Sequence, residues 1–132
     1  MSYTIRQVCE RTGLTAHTLR YYEKEGLLPA VARSEGGIRL YSDEDLELLG
    51  LIRCLKHTGM PLSGIADFVR LTQEGEHTLE ERCEILRRHR ADVVARMNEI
   101  RQHLEEVDCK LACYTEKLAE FEARKAAKSR AE

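Results

Sequence analysis

Five cysteines are the most reactive side chains of this 132-residue sequence, and their spacing suggests two kinds of chemistry. Cys109 and Cys113 are four residues apart, so on a helix they share one face and could bind a soft metal ion. Cys83 is a candidate third ligand, contributed by a second copy of the chain. Cys54 lies in Arg53-Cys54-Leu55-Lys56-His57, where neighbouring positive charge favours a reactive thiolate. The two hypotheses are a metal site and a single reactive thiol.

Each cysteine also has an ordinary structural interpretation. Cys54 could be a small apolar residue at a helix interface, and Cys83 could simply pack. Cys9 is interpreted as structural, and two thiolates alone make an incomplete zinc site. The five histidines form no ligand cluster, and Cys54 with a neighbouring histidine lacks a third orienting residue and an oxyanion loop. The sequence therefore predicts no enzyme and no cofactor.

A second group of polar side chains could contact nucleic acid. A predicted second helix displays Thr15, His17, Thr18, Arg20, Tyr21 and Lys24, and a predicted hairpin adds Arg33, Arg39 and Tyr41. Arg, Thr and Tyr donate hydrogen bonds to phosphates, and Arg can also grip a guanine edge with two bonds. Glu23, Glu25 and Glu35 partly cancel this positive charge, so an ordinary solvated surface is an equal alternative on residue chemistry alone.

Composition narrows the class of protein without deciding its partner. Charged residues make up 33% and aromatic residues 5%, which suits a helical, well-solvated protein. The net charge of −2 does not indicate nucleic-acid binding, so DNA binding would require a local cationic face. The first residues resemble no secretory signal, and no apolar stretch is long enough to cross a bilayer. We expect a cytoplasmic protein with free thiols and no membrane partner.

Helix start and stop signals organise residues 1–75 into one domain. Thr4 with Gln7 predicts a capping box, Gly13 a helix end, and Thr15 the cap of a helix over 16–25. Two short helices so joined form a helix-turn-helix unit. Glycines within 29–41 predict a β-hairpin. Two further helices are predicted, one from Ser42 to about Thr58 and one from Pro61 to about Gly75.

The remaining sequence begins with a predicted capping box, Thr78 with Glu81, and carries a heptad repeat. From Leu79 to Phe121 apolar residues recur in alternating steps of four and three, with Arg90 as the one exception. Within the predicted dimerisation segment 76–121, the helix from Leu79 to Phe121 would span roughly 60 Å, too long for the first domain to cover. The sequence therefore predicts a homodimer joined through a coiled coil, with residues 122–132 as a polar, disordered tail. The seam residues predicted to dimerise include Leu86, Val93, Met97, Ile100, Leu104, Val107 and Leu111.

Several linked motifs resemble the MerR family of transcription regulators. They are Thr4-Ile5-Arg6-Gln7-Val8, Leu19-Arg20-Tyr21-Tyr22-Glu23-Lys24-Glu25-Gly26-Leu27-Leu28-Pro29 and Arg33-Ser34-Glu35-Gly36-Gly37-Ile38-Arg39-Leu40-Tyr41-Ser42. The resemblance implies an all-α fold with a small β wing, in which a winged helix-turn-helix precedes a long antiparallel coiled-coil dimerisation helix. It also implies a homodimer on palindromic double-stranded promoter DNA, which bends and untwists the promoter spacer so that RNA polymerase engages both promoter elements.

The resemblance also assigns roles to residues. Thr15, Thr18, Arg20 and Tyr21 match the recognition helix, Arg39 and Tyr41 match the wing, and Lys56 matches a backbone-contacting position. The setting of Cys54 resembles the branch that responds to aldehydes, nitric oxide or other electrophiles. Metal-responsive members carry one cysteine where Cys83 lies and others in a loop after the helix. Here the heptads continue through Leu118 and Phe121, so the metal set Cys83, Cys109 and Cys113 stays the alternative to Cys54.

Overall fold

The structure, a computed structural model, describes residues 1–131 and is mostly helical with a small three-stranded sheet. The predicted fold class is confirmed. The elements follow in the order β1 (Ser2–Tyr3), α1 (Ile5–Thr12), α2 (Ala16–Lys24), β2 (Ala32–Arg33), β3 (Arg39–Ser42), α3 (Asp43–His57), α4 (Leu62–Glu74), a 3-10 turn (Glu76–Thr78) and α5 (Leu79–Ala131).

Side-chain caps begin the short helices where the sequence predicts them. The Gln7 N–H donates to Thr4 Oγ1 at 3.3 Å, and the Thr4 N–H donates to Gln7 Oε1 at 2.9 Å. Ser42 and Asp45 form the same reciprocal pair at the start of α3, at 3.1 and 2.9 Å. Each pair satisfies N–H groups that have no partner inside the helix. Gly13 ends α1 in the left-handed region, with φ of 75°.

The sheet and four helices enclose one hydrophobic core. The strands are antiparallel in the order β1-β3-β2, and Tyr3 pairs with Tyr41 while Arg33 pairs with Arg39. The core is built from one face of each helix together with inward-facing residues of the sheet. Fully buried members include Val8, Leu19, Leu49, Ile52, Ile65 and Tyr41.

The compact N-terminal unit extends to Arg90, beyond the predicted boundary at residue 75. The Thr78 hydroxyl, which was expected to cap α5 together with Glu81, instead donates to the carbonyls of Leu71 and Gly75, both at 2.8 Å. His89 Nε2 is hydrogen-bonded to Thr58 Oγ1 at 2.7 Å. The first turns of α5 therefore pack on this unit, because His89 bonds the hydroxyl of Thr58 at the end of α3 and Arg82 Nη2 donates to the Gly75 carbonyl after α4.

A second unit begins at Ala91, within α5. The helix is continuous to Ala131, so residues 122–131 are helical rather than disordered as predicted, while Glu132 lies outside the described residues. The physical reason is composition, since this stretch contains good helix formers without Gly or Pro and lengthens a helix already nucleated. None of the helices in residues 1–131 has the length and apolarity that a membrane span requires.

Candidate nucleic-acid interface

The start of α2 is held by two threonines. The Thr18 N–H donates to Thr15 Oγ1 at 3.1 Å, and the two hydroxyl oxygens lie 2.9 Å apart. Thr15 is exposed and Thr18 is half-buried. The predicted cap at Thr15 is confirmed, and it places two hydroxyls side by side at the positive end of the helix dipole, where an anion is favoured.

Helix α2 has one buried face and one exposed face. Leu19 and Tyr22 anchor it in the core, with 0% and 2% of their surface exposed. The outward face carries the predicted contact residues His17, Arg20 and Tyr21, together with Lys24. Within residues 1–131 neither Arg20 nor Lys24 takes part in an ion pair. Their charges are therefore available to an anionic partner.

The hairpin predicted between Pro29 and Tyr41 is formed by β2 and β3 and turns over Ser34–Gly37. The Gly37 N–H donates to the Ser34 carbonyl at 2.9 Å, and Gly37 has φ of 79°, a conformation that favours glycine. Arg33 Nη1 donates to the Gly37 carbonyl at 2.9 Å. Arg33 therefore stabilises the tip of the wing from an exposed position, and Ile38 beside it is 63% exposed.

Arg39 is held in an ion pair that the sequence does not indicate. Its Nε donates to Glu23 Oε2 at 2.8 Å, which ties β3 to α2. The Arg39 and Glu23 side chains are 28% and 19% exposed. From the sequence, Glu23 is only a charge that weakens the cationic surface, because it lies sixteen positions from Arg39 and no periodic pattern links the two. In the folded chain Glu23 holds a predicted DNA-contacting residue.

Tyr41 does not lie on the exposed surface of the wing, and this part of the prediction is wrong for the folded chain. Its side chain is fully buried, because successive residues of β3 point to opposite faces and Tyr41 points inward. The phenol oxygen has no hydrogen-bond partner among residues 1–131. Burial, followed by the nearby charge of Glu23, raises the pKa of Tyr41 above its ordinary value. Tyr41 is a member of the hydrophobic core.

Helix α3 brings two basic residues to the helix-turn-helix. Lys56 is exposed, and its Nζ lies 5.3 Å from the ring centroid of Tyr22, so the predicted backbone-contacting residue stands beside α2. Arg53 Nη1 donates to the Thr12 carbonyl at 2.8 Å, satisfying a carbonyl at the end of α1. In the sequence, Cys54 lies between Arg53 and Lys56, and its side chain is exposed.

The other cysteines do not assemble around a common point. Cys9 is half-buried, while Cys83, Cys109 and Cys113 are exposed. In the part of the chain that the structure describes, no three His, Cys, Asp or Glu residues are grouped so that they could hold a metal ion. A site of three cysteines would therefore need ligands from more than one copy of the chain.

Comparison with known proteins decides the family. Residues 3–72 match the pattern of the MerR HTH family of regulatory proteins, and residues 46–108 match the pattern described as MerR, DNA binding. The chain belongs to the MerR family. It is a DNA-binding transcriptional regulator, as its motifs predict. Proteins similar to this MerR regulator are transcriptional regulators, which are not enzymes.

The similarity covers most of this MerR regulator. It is 42% identical to an uncharacterized HTH-type transcriptional regulator of Haemophilus influenzae, over 86% of this chain and 84% of that protein. HiNmlR, a MerR family regulator lacking the sensor domain and bound to promoter DNA, is 41% identical with a TM-score of 0.79, over 90% of this chain and 94% of that chain. PbrR691 from Ralstonia metallidurans CH34, in complex with lead(II), is 33% identical with a TM-score of 0.59, over 80% and 82% of the two chains.

Proposed function

We propose that this MerR regulator binds a palindromic promoter as a homodimer and reads each half-site with α2. The outward face of α2 carries the proposal, since it presents unpaired cationic side chains opposite a face anchored by Leu19 and Tyr22. The DNA-bound state of the similar HiNmlR supports it. Thr15, Thr18, His17, Arg20 and Tyr21 act on the recognition helix, flanked by Lys56 and by Arg39 of the wing.

The homodimer forms through α5 in antiparallel orientation. The seam residues Ile100, Leu104, Val107 and Leu111 are 68%, 54%, 61% and 64% exposed in one copy, although their spacing makes a continuous apolar stripe. Burying each square ångström of such surface contributes about 25 cal/mol. A second copy offers an identical stripe with matching heptad spacing.

We further propose that Cys54 senses reactive aldehydes or other electrophiles. Arg53 bonds the end of α1, and Lys56 lies against Tyr22 of α2, so an adduct at exposed Cys54 modifies the turn of α3 from which both contacts to the helix-turn-helix are made. Shifting those contacts changes how α2 is presented to DNA. The altered dimer then bends and untwists the promoter spacer and allows RNA polymerase to engage.

A soft-metal response through Cys83, Cys109 and Cys113 is the second candidate. Cys109 and Cys113 share a helix face and are both exposed, and the similar PbrR691 binds lead(II). The two candidates call for different thiols. They therefore predict opposite effects of cysteine substitution.

In vitro transcription with purified RNA polymerase tests both candidates. Cys54→Ser is expected to keep DNA binding and lose the response to an aldehyde, while Cys109→Ser with Cys113→Ser responds normally. The opposite pattern, with stoichiometric metal lost from the double variant, supports the metal site. A full aldehyde response from Cys54→Ser contradicts the electrophile proposal. A protein that fails to select any promoter fragment in a binding screen contradicts the wider function.

A further inference from the structure

An acidic groove opens on the N-terminal unit between the start of α3, the end of α4 and the first turns of α5. Its volume is 670 Å³, and its lining combines apolar and acidic side chains, including Leu48, Leu51, Glu44, Asp45 and Glu47. Arg82 also lines it, and its guanidinium is held by Thr78 Oγ1 and by the Gly75 carbonyl, each at 2.9 Å. The groove is therefore lined by apolar side chains together with more carboxylates than cationic groups.

The last two turns of α5 carry the complementary charge. Within residues 124–130 every charged side chain is basic, namely Arg124, Lys125, Lys128 and Arg130, and two alanines lie between them. All these residues are helical and exposed. Residues 116–122 contain three glutamates and one lysine, so the excess of positive charge begins only at Arg124. Basic residues are also favoured at the carboxyl end of any helix because they interact with the helix dipole. This preference acts in a single copy and does not require a partner.

Along α5 the basic segment begins forty-two residues after Arg82, which lines the groove. Helix α5 runs without a break from Leu79, beside the groove, to Ala131, and it contains neither Gly nor Pro. Folding the segment back would require breaking this helix. A second copy can bring its own residues 124–130 to the groove without breaking the helix.

We propose that residues 124–130 of one copy dock into the acidic groove of the second copy, an inference that rests on the homodimer proposed above. In an antiparallel pair centred on Ile100, Phe121 lies level with Leu79 of the other copy, so residues 124–130 extend just beyond the start of its α5. In a pair centred on Leu104, residues 124–129 lie level with residues 79–84, the first turns of that helix. The groove lies at this end of α5, since its lining includes Arg82.

This contact would connect the end of α5 in one copy to the wing of the other copy. Glu44 and Glu47 lie in the first turns of α3, directly after Ser42, which is both the last residue of β3 and the cap of α3. A helix end bound at these carboxylates therefore restrains the junction between the partner's wing and α3. Both DNA-binding units would be restrained at once, because the two contacts are related by the dimer symmetry.

Reversing the charges on each side tests the docking. Sedimentation equilibrium at low salt measures the dimer dissociation constant of Arg124→Glu with Lys128→Glu, and of Glu44→Lys with Glu47→Lys. Each variant is expected to raise the constant roughly tenfold, because several exposed ion pairs become repulsive in two symmetric copies. Combining the four substitutions is expected to restore the constant to within about threefold of the original, since opposite charges again face each other.

A matched control changes the same charge elsewhere on α5. Lys110→Glu with Lys117→Glu alters net charge equally, and the groove variant is not expected to compensate for it. Circular dichroism checks that every variant folds, and for the unmodified dimer the dissociation constant should rise with added sodium chloride. A salt-independent constant contradicts the docking without using any variant.

Three outcomes overturn the inference. The first is a dimer dissociation constant that does not change when the charges of residues 124–130 or of the groove are reversed. The second is a combined variant whose dissociation constant rises by the product of the two separate increases. The third is a tail variant that weakens promoter binding at an unchanged dimer constant, which would assign residues 124–130 to DNA. A stable monomer at micromolar concentration is a different failure, because it removes the homodimer itself.

Discussion

Nε of Arg39 donates to Oε2 of Glu23 at 2.8 Å, so one ion pair joins the wing strand to the recognition helix. Both side chains are less than one third exposed, which limits screening by solvent. The pair positions the wing relative to α2. It also neutralises Arg39 in the free protein, so a phosphate can gain this guanidinium only in competition with Glu23.

A double-mutant cycle should detect the Arg39–Glu23 coupling. Arg39→Ala, Glu23→Ala and their combination are expected to show a coupling of about 1 kcal/mol in the free energy of unfolding. Urea titration at neutral pH and low salt measures it. Glu25→Ala, at the exposed cap that ends α2, is the matched control and should not couple to Arg39. Additive losses for Arg39 and Glu23 would show that the pair contributes no net stability.

Arg20 and Arg39 should differ in how they contribute to promoter binding. Arg20→Ala is expected to weaken binding by about 1–3 kcal/mol and to reduce the salt slope by about one, because its charge is unpaired before binding. Arg39→Ala should reduce the slope less, since Glu23 already neutralises it. Anisotropy titrations at several salt concentrations measure both effects. Unchanged binding by both variants would refute the docking of α2 and the wing.

Tyr41→Phe should be tolerated. The phenol oxygen is buried without a hydrogen-bond partner among the described residues, so its removal deletes a polar group that the core does not satisfy. We expect the free energy of unfolding to stay the same or to rise by up to about 1 kcal/mol. Promoter affinity should not change. A marked loss of affinity in a stably folded Tyr41→Phe protein would return this hydroxyl to the DNA interface.

Charge in the α5 seam should abolish the homodimer. Ile100→Asp with Leu104→Asp buries unpaired carboxylates at the proposed interface, which is strongly unfavourable. We expect a monomer in sedimentation and loss of specific promoter binding, because one half-site alone binds weakly. Ala95→Asp with Gln102→Asp adds the same charges away from the seam, so that control should remain dimeric. A dimeric Ile100/Leu104 variant would place the interface elsewhere.

Helix ends and the heptad seam could be predicted closely because their causes are local. A capping box involves residues three apart, as at Thr4 and Gln7 or Ser42 and Asp45, and its hydrogen bonds form within one turn. The same signal misled at Thr78, whose hydroxyl bonds the end of α4 instead. There the competing acceptors come from the preceding helix, which a pattern confined to α5 does not include.

The sequence by itself determined α2, its threonine cap and its outward Arg20, because helical periodicity separates Leu19 and Tyr22 from the polar face. It also determined the apolar heptad stripe along α5. Only the tertiary structure decided that Tyr41 enters the core, that Glu23 holds Arg39, and that Arg53 bonds the end of α1. These contacts join residues sixteen to forty-one positions apart or depend on which face of a short strand packs inward. Such choices follow from the free energy of burial in the assembled core, which local propensity does not contain.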